Sequence, residues 1–398
     1  MIGFREAHEA VMGSVAALDT ERIELSKAYG RVLAEAVVSD IDIPPFDKSA
    51  MDGYAVRTKD LIRPPVTLSV HDTLAAGSTI REEAVEGTCV RIMTGAPIPH
   101  GFNAVVMFEE TEEREGKVRF DDPAAEGQNI CRRGEDIERG RQVLGTGALI
   151  RGPEIAVLAS VGMVRVKVFR SPRVHVLSTG SEVVEPGQPL SFGKIRNSNG
   201  PMLCSLVSNS GAEVVYLGIA PDREKELTAL IKKGLSGDML LISGGVSMGD
   251  YDLIPGILKG IGAEIILHRV KIKPGKPLLL ARRERCIIIG VPGNPVSNFT
   301  TFHTFIKPAL YKMMGRTDHA LHFVHGIAGE DIRKKGERPQ LMPSVHRVVD
   351  GAFVVEPLPL NGSADIVGCA GCTCLMFVEE GDQNIQRGEM VPIILIEL

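Results

Sequence analysis

The sequence predicts a multidomain α/β plus β protein: a central, doubly wound, mostly parallel α/β domain, an inserted β module and a small β-barrel-like C-terminal domain. Three observations carry that expectation. The chain has 398 residues, which at about 150 residues per domain implies two to four of them. From Arg173 to about residue 315, short apolar runs alternate with helical stretches, the texture of a parallel sheet covered on both faces. On either side of that region the chain is cut into short β-rich runs by turn residues.

In chain order, Phe4, Ala7, Val11, Val15 and Leu18 recur every three or four residues, the spacing of an amphipathic helix, and Gly30 ends a second short helical stretch. The opening is expected to be helical. From Asp42 onward, Pro44-Pro45, Pro64-Pro65, Ala76-Gly77, Gly95-Ala96-Pro97 and Asp121-Asp122-Pro123 punctuate short strands. A helical stretch near Glu154–Val161 and a strand-like Val164–Phe169 then return to the first texture, so the β module reads as an insertion. The expected division is residues 1–43 with 141–170 as a discontinuous helical and linker domain, 44–140 as the inserted β module, 171–316 as the α/β domain and 317–398 as the C-terminal β domain. Within 171–316 the strands fall at Val174–Leu177, Glu213–Leu217, Met239–Ile242, Glu264–Leu267 and Ile287–Gly290, with helices near 200–210, 223–235, 252–261 and 295–315.

Composition excludes several classes. Apolar residues make up 44% and charged residues 24% of the chain, too apolar for disorder. A net charge of −5 supplies no field for a polyanion, so nucleic acid is not an expected partner. No apolar run reaches the roughly 20 residues that span a bilayer, and Arg5, Glu6 and Glu9 interrupt the start where a signal peptide would be apolar. Seven cysteines, an odd number scattered along a long chain, fit a reducing compartment. The expected location is the cytoplasm.

In open α/β sheets ligands settle beyond the carboxyl ends of the strands. Three loops there combine glycine with hydroxyls: Ser178-Thr179-Gly180-Ser181-Glu182, Ser243-Gly244-Gly245-Val246-Ser247-Met248-Gly249-Asp250 and Pro292-Gly293-Asn294-Pro295-Val296-Ser297. One such loop alone is ordinary turn chemistry. Three on one sheet edge suit a phosphate or another oxyanion, because glycine lets backbone donors approach a ligand closely. Neither the P-loop nor the dinucleotide fingerprint is present. Gly245-Val-Ser247-Met-Gly249 matches the nucleophile elbow, with Asp252 and His268 or His303 as potential partners, although no spacing selects them. Glu182, Asp222 and Asp250 follow strand ends, where each alone is suited to cap a helix. Together, around an anion, they imply a hard cation such as Mg²⁺ between carboxylate and phosphate. Lys271, Lys273 and Lys276 lie in Val270-Lys-Ile-Lys-Pro-Gly-Lys-Pro277, where glycine and two prolines favour a rigid anion clamp over a solvated basic face. Cys369-Ala-Gly-Cys372-Thr-Cys374 has metal-like spacing but no second ligand pair in the tail, and ordinary small buried residues fit it better. His319, His322 and His325 would alternate faces on a strand.

Taken together, Pro44-Pro-Phe-Asp-Lys-Ser-Ala-Met-Asp-Gly-Tyr-Ala55, Ile92-Met-Thr-Gly-Ala-Pro97, Arg133-Gly-Glu-Asp136 and the loops above resemble, in order and over essentially the whole chain, the molybdopterin molybdenumtransferase family of bacterial MoeA and the gephyrin E domain. The resemblance implies a homodimer of elongated four-domain subunits that inserts molybdate into adenylylated molybdopterin with Mg²⁺, releasing AMP and molybdenum cofactor. It makes 171–316 a molybdopterin-binding domain. It implies that Glu182, Asp222 and Asp250 handle Mg²⁺ and the phosphate linkage, and that Lys273, Lys276, Ser297 and Arg347 lie on the molybdate side, with Ser247, Gly293 and Asn294 as loop contacts. Asp52, Thr94 and Asp136 would reach over the partner subunit's cleft. Candidate protein partners are a molybdopterin adenylyltransferase and molybdoenzyme maturation proteins. Cys131 stands where the family often has a basic residue, with Arg132 and Arg133 beside it, and Val367 and Gly368 stand where many members carry serines. Two other functions compete: adenylylation of molybdopterin by ATP, and a gephyrin-like scaffold without catalysis. The long β insertion and β tail match the insertion enzyme, and the acidic and basic loop residues are ones a pure scaffold has no need of.

Overall fold

The structure, a computed structural model, describes residues 1–78, 83–246 and 253–396. The chain divides into two compact units, one of Met1–Glu35, Thr146–Arg151 and Arg165–Leu398, the other of Ala36–Gly145 and Gly152–Val164.

In the first unit the opening helix spans Phe4–Ser14 and buries Phe4, Ala7 and Val11, as its periodicity predicts. Phe4 meets Phe305 edge-on at 5.5 Å between ring centroids. The second helical stretch is not there. Thr20–Glu24 is a strand, paired antiparallel with Arg165–Phe169, and only one tight turn of helix, Leu25–Lys27, follows it. The partner strand's buried Val166 and Val168 supply what local periodicity cannot show, a cross-strand surface that overrides a weak helical preference.

The central sheet has six strands, in the order Glu213–Ala220, Arg173–Thr179, Met239–Ser243, Cys286–Val291, Leu279–Arg283 and Glu264–His268. The first four are mutually parallel, and the last two join antiparallel. Leu279–Arg283 was not anticipated; it forms a hairpin with Cys286–Val291 through Glu284 and Arg285, with Glu284 at φ 53°. Side chains alternate between two cores with the period of two that strands require. Val174, Val176, Met239, Leu241, Ile287 and Ile289 face one core with Leu203 and Val207 of helix Asn199–Asn209. Leu177, Leu240, Ile242 and Ile288 face the other, against Leu227 and Ile231 of helix Glu224–Gly234 and Ile254, Ile257 and Leu258 of helix Ile254–Gly260. The sheet is therefore doubly wound. The remaining helical run is continuous through Pro295–Thr301, a π-helical turn Phe302–Ile306 and Lys307–Met313.

Beyond it, Val324–Ala328, Ala352–Pro357, Gln340–Val349, Cys374–Val378 and Met390–Leu395 close into a five-stranded barrel, in that order. In the second unit a six-stranded sheet runs Ala104–Met107, Gly53–Val56, Thr88–Ile92, Val66–Leu74, Lys117–Phe120 and Thr111–Arg114, over a core that includes Tyr54, Val106 and Phe120. No helix among the described residues is long and apolar enough to cross a membrane.

His303, in the π-helical turn, is 6% exposed, its Nε2 has no hydrogen-bond partner, and its ring lies 4.7 Å from that of Phe299. Burial, with Lys307 adding to it, pushes its pKa down to about 3 from the ordinary 6.5. Between those two values the unfolded chain takes up a proton that the folded chain refuses, so folding stability is full above 6.5 and falls as the pH drops toward 3. His303→Leu removes that contribution. Denaturant unfolding followed from pH 7 to 4 is expected to show a shallower loss of stability in the variant; parallel curves would place the acid sensitivity elsewhere.

Candidate functional site

The four parallel strands end in step: Ser178 lies opposite Ser243, Ser243 opposite Val291, and Thr179 opposite Ala220. From Arg173–Thr179 the chain crosses to Glu213–Ala220 on one side and then to Met239–Ser243 on the other. That reversal opens a crevice between the loops, the position where doubly wound sheets bind ligands.

Ser243 organises the crevice. Its Oγ accepts hydrogen bonds from Asn199 Nδ2 at 3.0 Å and Asn298 Nδ2 at 2.8 Å. Asn199 also donates to the Gly293 carbonyl at 2.6 Å, and Asn298 to the Pro292 carbonyl at 2.8 Å. Two helices are thereby pinned to adjacent strand ends. The Gly244 loop and the Gly293 loop are consequently brought side by side, where a Cβ on Gly293 would make ordinary contact with Gly244 Cα, at 3.9 Å. Gly244 sits at φ +94°, and a Cβ there would meet Thr179 Oγ1 at 2.8 Å, so both backbone conformation and space demand glycine.

Two cavities flank this junction, of about 540 Å³ and 530 Å³, and Pro277, Pro292, Gly293 and Asn294 line both. The first carries Ser178, Thr179, Glu182 and Asp222. Asp222 is fixed by a reciprocal pair of bonds: Ser181 N–H donates to Asp222 Oδ2 at 2.8 Å, and Asp222 N–H donates to Ser181 Oγ at 3.0 Å. Its far wall is held by a relay in which Ser178 donates to Asn197 Oδ1, Asn197 Nδ2 donates to Tyr216 Oη, and the Tyr216 hydroxyl donates to Glu185 at 2.9 Å. Burial first, and then the Glu185 carboxylate, raise the Tyr216 phenol, which stays a donor.

The second cavity is lined by Lys273, Lys276, Ser297, Arg338 and Ser363. Lys273 is fixed by its backbone, whose N–H donates to the Pro339 carbonyl at 2.9 Å and whose carbonyl accepts from Leu341 N–H at 2.8 Å. Gly275 turns at φ +107° to bring Lys276 back. Asn294 Nδ2 donates to Ser363 Oγ at 2.7 Å, tying the loop at 361–369 to the junction between the cavities. Lys273, Lys276 and Arg338 thus line one side of Gly293 and Asn294, and Glu182 and Asp222, with Arg196 among them, the other.

Most of the expected residues find a place in this arrangement. Glu182 and Asp222 share one cavity, Lys273, Lys276 and Ser297 the other, and Gly293 and Asn294 the boundary. Arg347 lines neither; it pairs with Glu356 on the adjacent barrel strand. Lys271 also turns away, to Glu380 at 2.7 Å. Ser247 and Asp250, with Asp252 of the elbow reading, lie outside the described residues. Of the elbow's histidines, His268 Nε2 bonds the Val246 carbonyl at 2.9 Å and His303 is buried in its helix. In the second unit Asp52 Oδ1 accepts from both the N–H and the Oγ1 of Thr94, at 2.7 Å each, and these two bonds hold its carboxyl below the usual range. Asp136 donates its N–H to the Ile43 carbonyl at 3.0 Å. Arg132 and Arg133, beside Cys131, are engaged by Asp47 at 2.8 Å and Asp42 at 2.6 Å.

Asn199, Asn298 and Arg338 were missed. The asparagines sit in helices where a polar residue reads as ordinary, and Arg338 enters the cavity only because its segment pairs across the fold with Lys273. Among the described residues no three His, Cys, Asp or Glu side chains group as a metal site. Two carboxylates beside an anion site nonetheless fit Mg²⁺, which keeps several waters and takes one or two carboxylates plus phosphate oxygens.

Three family models cover the chain in succession: the MoeA N-terminal region (domain I and II) over residues 2–162, a probable molybdopterin binding domain over 175–312, and the MoeA C-terminal region (domain IV) over 325–396. A molybdopterin molybdenumtransferase of Staphylococcus aureus is 34% identical over 401 aligned residues, spanning 100% of this chain and 96% of the relative. The chain belongs to the MoeA family. The corresponding transferase of Staphylococcus epidermidis matches to the same extent, 34% over 100% of this chain and 96% of its own. Two crystal structures of the MoeA protein from Pyrococcus horikoshii superpose over their full length with TM-scores of 0.83 and 0.84, at 31% and 32% identity, covering 100% and 99% of this chain. The MoeA architecture, an α/β domain with a β insertion and a terminal barrel, is the one described above.

Ser243→Ala leaves the buried Asn298 amide and the half-buried Asn199 amide short of an acceptor, which costs about 1–3 kcal/mol. Guanidinium unfolding is expected to show that loss, and an unchanged midpoint would show that the junction does not depend on this hydroxyl.

Proposed function

We propose that this chain works in molybdenum cofactor biosynthesis, inserting molybdate into adenylylated molybdopterin and releasing AMP and molybdenum cofactor. The observation that carries the reading is the pair of adjoining cavities that share Gly293 and Asn294, one with Glu182, Asp222 and Arg196 and the other with Lys273, Lys276 and Arg338 and, among the described residues, no carboxylate. A substrate with a phosphate linkage at one end and a metal-accepting dithiolene at the other needs two such environments side by side. The full-length relatives carry the transferase name, which disfavours both an adenylyltransferase and a scaffold.

In this reading molybdate, a dianionic substrate, is held by Lys273, Lys276 and Arg338, with Ser297 and Ser363 as hydroxyl partners. Lysine and arginine charges offset its repulsion from the adenylate phosphates, and holding both reactants removes the entropic cost of their encounter. Glu182 and Asp222, joined by Asp250, would hold Mg²⁺. When bound, that ion supplies positive charge to the phosphate oxygens. Gly244 keeps its loop close against Thr179, and Asn294 orients the wall that both cavities share. No protein nucleophile is needed, because molybdate, or its complex with the dithiolene, drives loss of AMP. Ser247 is then a ligand contact.

The active unit in this reading is a cytoplasmic homodimer. Asp52, Thr94 and Asp136, in the inserted module of residues 44–140, act at the partner subunit's cleft, and the Asp52–Thr94 bonds keep that carboxylate ionised. The pterin-binding role falls to residues 171–316, and the adenylyltransferase and molybdoenzyme maturation proteins are its protein partners.

The test is release of AMP, followed by chromatography, from adenylylated molybdopterin with Mg²⁺ at limiting molybdate. Asp222→Asn and Lys276→Ala are each expected to slow it by at least about tenfold. Excess molybdate should restore the lysine variant and leave the aspartate variant slow. Wild-type rates in both folded variants would overturn the assignment.

A further inference from the structure

The Cys369-Ala370-Gly371-Cys372 segment closes a tight turn. Cys372 N–H donates to the Cys369 carbonyl at 3.1 Å, Ala370 lies at φ −61° and ψ 136°, and Gly371 at φ +84°. These are the angles of a type II turn, in which the first and fourth Cα atoms lie less than about 7 Å apart. A disulfide spans Cα separations of about 4.4–6.8 Å, so the turn brings the two Cα atoms into the range that a bridge requires. All seven cysteines are free thiols in this structure. Among the described residues no three ligands gather here for a metal, which leaves the pair to thiol chemistry.

We propose that Cys369 and Cys372 form a peroxide-reactive dithiol that closes reversibly to a disulfide across the turn. The roles of the two sulfurs follow from their surroundings. Cys372 donates its S–H to the Cys374 carbonyl at 3.2 Å, and contact between the two sulfurs lowers the Cys369 thiol and raises that of Cys372. Because the Cys374 carbonyl holds the Cys372 proton, Cys369 is assigned as the attacking thiolate and Cys372 as the resolving thiol. Cys369 is 5% exposed, next to exposed Ala370 and Gly371, which favours a small oxidant over a bulky disulfide.

The chemistry balances with hydrogen peroxide as the oxidant. The Cys369 thiolate takes one peroxide oxygen as the O–O bond breaks, giving a sulfenic acid and hydroxide, which takes up the proton the thiol gave up and leaves as water. Cys372 sulfur then displaces the sulfenic oxygen, the S–S bond forms, and the thiol proton leaves with that oxygen as a second water. Two thiols are oxidised by two electrons and one peroxide is reduced. Cys374 is a poor competitor, since burial first pushes its thiol up to about 11 and its side chain belongs to the barrel core. Cys89 and Cys286, pushed up to about 12 by burial, are poorer still.

The site lies at the end of the loop that carries Ser363. Asp365 accepts from Asn361 N–H at 3.0 Å and Gly368 N–H at 2.9 Å, so the segment from the cavity boundary to the turn is internally bonded.

The experiment treats the full-length protein with graded hydrogen peroxide, blocks remaining thiols with iodoacetamide, and maps peptides by mass spectrometry before and after dithiothreitol. The expected result is a linked Cys369–Cys372 peptide that has lost two hydrogens, appears at lower peroxide than any change at Cys131 or Cys204, and reverts with dithiothreitol. Cys372→Ser, treated with peroxide and dimedone, should carry the dimedone adduct on Cys369. Independent over-oxidation of the two cysteines without a link, a bridge to Cys374, or a response no earlier than that of Cys131 would each overturn the proposal. The wild-type map stands without the variant, so a misfolded Cys372→Ser protein leaves the test intact.

Discussion

The site depends on one buried hydroxyl. Ser243 Oγ receives both Asn199 and Asn298, and through the second donor of each amide the Pro292–Gly293 backbone is drawn against the Gly244 loop. Buried amides of this kind are costly when unpaired and strong when paired, because the surrounding dielectric is low. The arrangement converts the register of parallel strands, which fixes only where each strand stops, into a fixed spacing between the loops beyond them. Remove it, and the two cavities lose their common wall.

A partial segregation of charge follows from that wall, with Arg196 the one cation lining the carboxylate cavity among the described residues. If the carboxylates of Glu182 and Asp222 shared a cavity with Lys273, Lys276 and Arg338, the opposite charges would neutralise one another and leave little field for an anion. Placed on either side of Gly293 and Asn294, the cations keep their attraction for an oxyanion and the carboxylates remain available to a hard divalent ion. Lys271 shows the alternative outcome, its charge already spent on Glu380. The same contrast separates Arg338, which lines the cavity, from Arg347, which is paired with Glu356 on the barrel.

What could be read from the sequence follows the range of the interactions involved. The alternating strands and helices of the α/β domain were legible because their burial pattern is local, a continuous buried apolar run in Met239–Ser243 and a spacing of three to four in Glu224–Gly234. Lys273 and Lys276 were legible because glycine and proline fix the turn that presents them. Thr20–Glu24 was misread as helix because its partner lies some 140 residues away, at Arg165–Phe169. Arg338 left no local trace at all: it reaches the cavity through the backbone pairing of Pro339 and Leu341 with Lys273. Asn199 and Asn298 look like unremarkable helical residues until the fold supplies Ser243. Arg347 came from resemblance rather than from its own surroundings, and in the structure those surroundings hold it with Glu356.

The central claim is that the lysine-lined cavity is where molybdate sits, beside and separate from the carboxylate-lined one. Anomalous diffraction at the molybdenum edge, from crystals of the full-length protein soaked in molybdate, tests it most directly. The account predicts a molybdenum peak within the cavity bounded by Lys273, Lys276 and Ser297. A peak between Glu182 and Asp222, or no peak within the lysine-lined cavity, would contradict it.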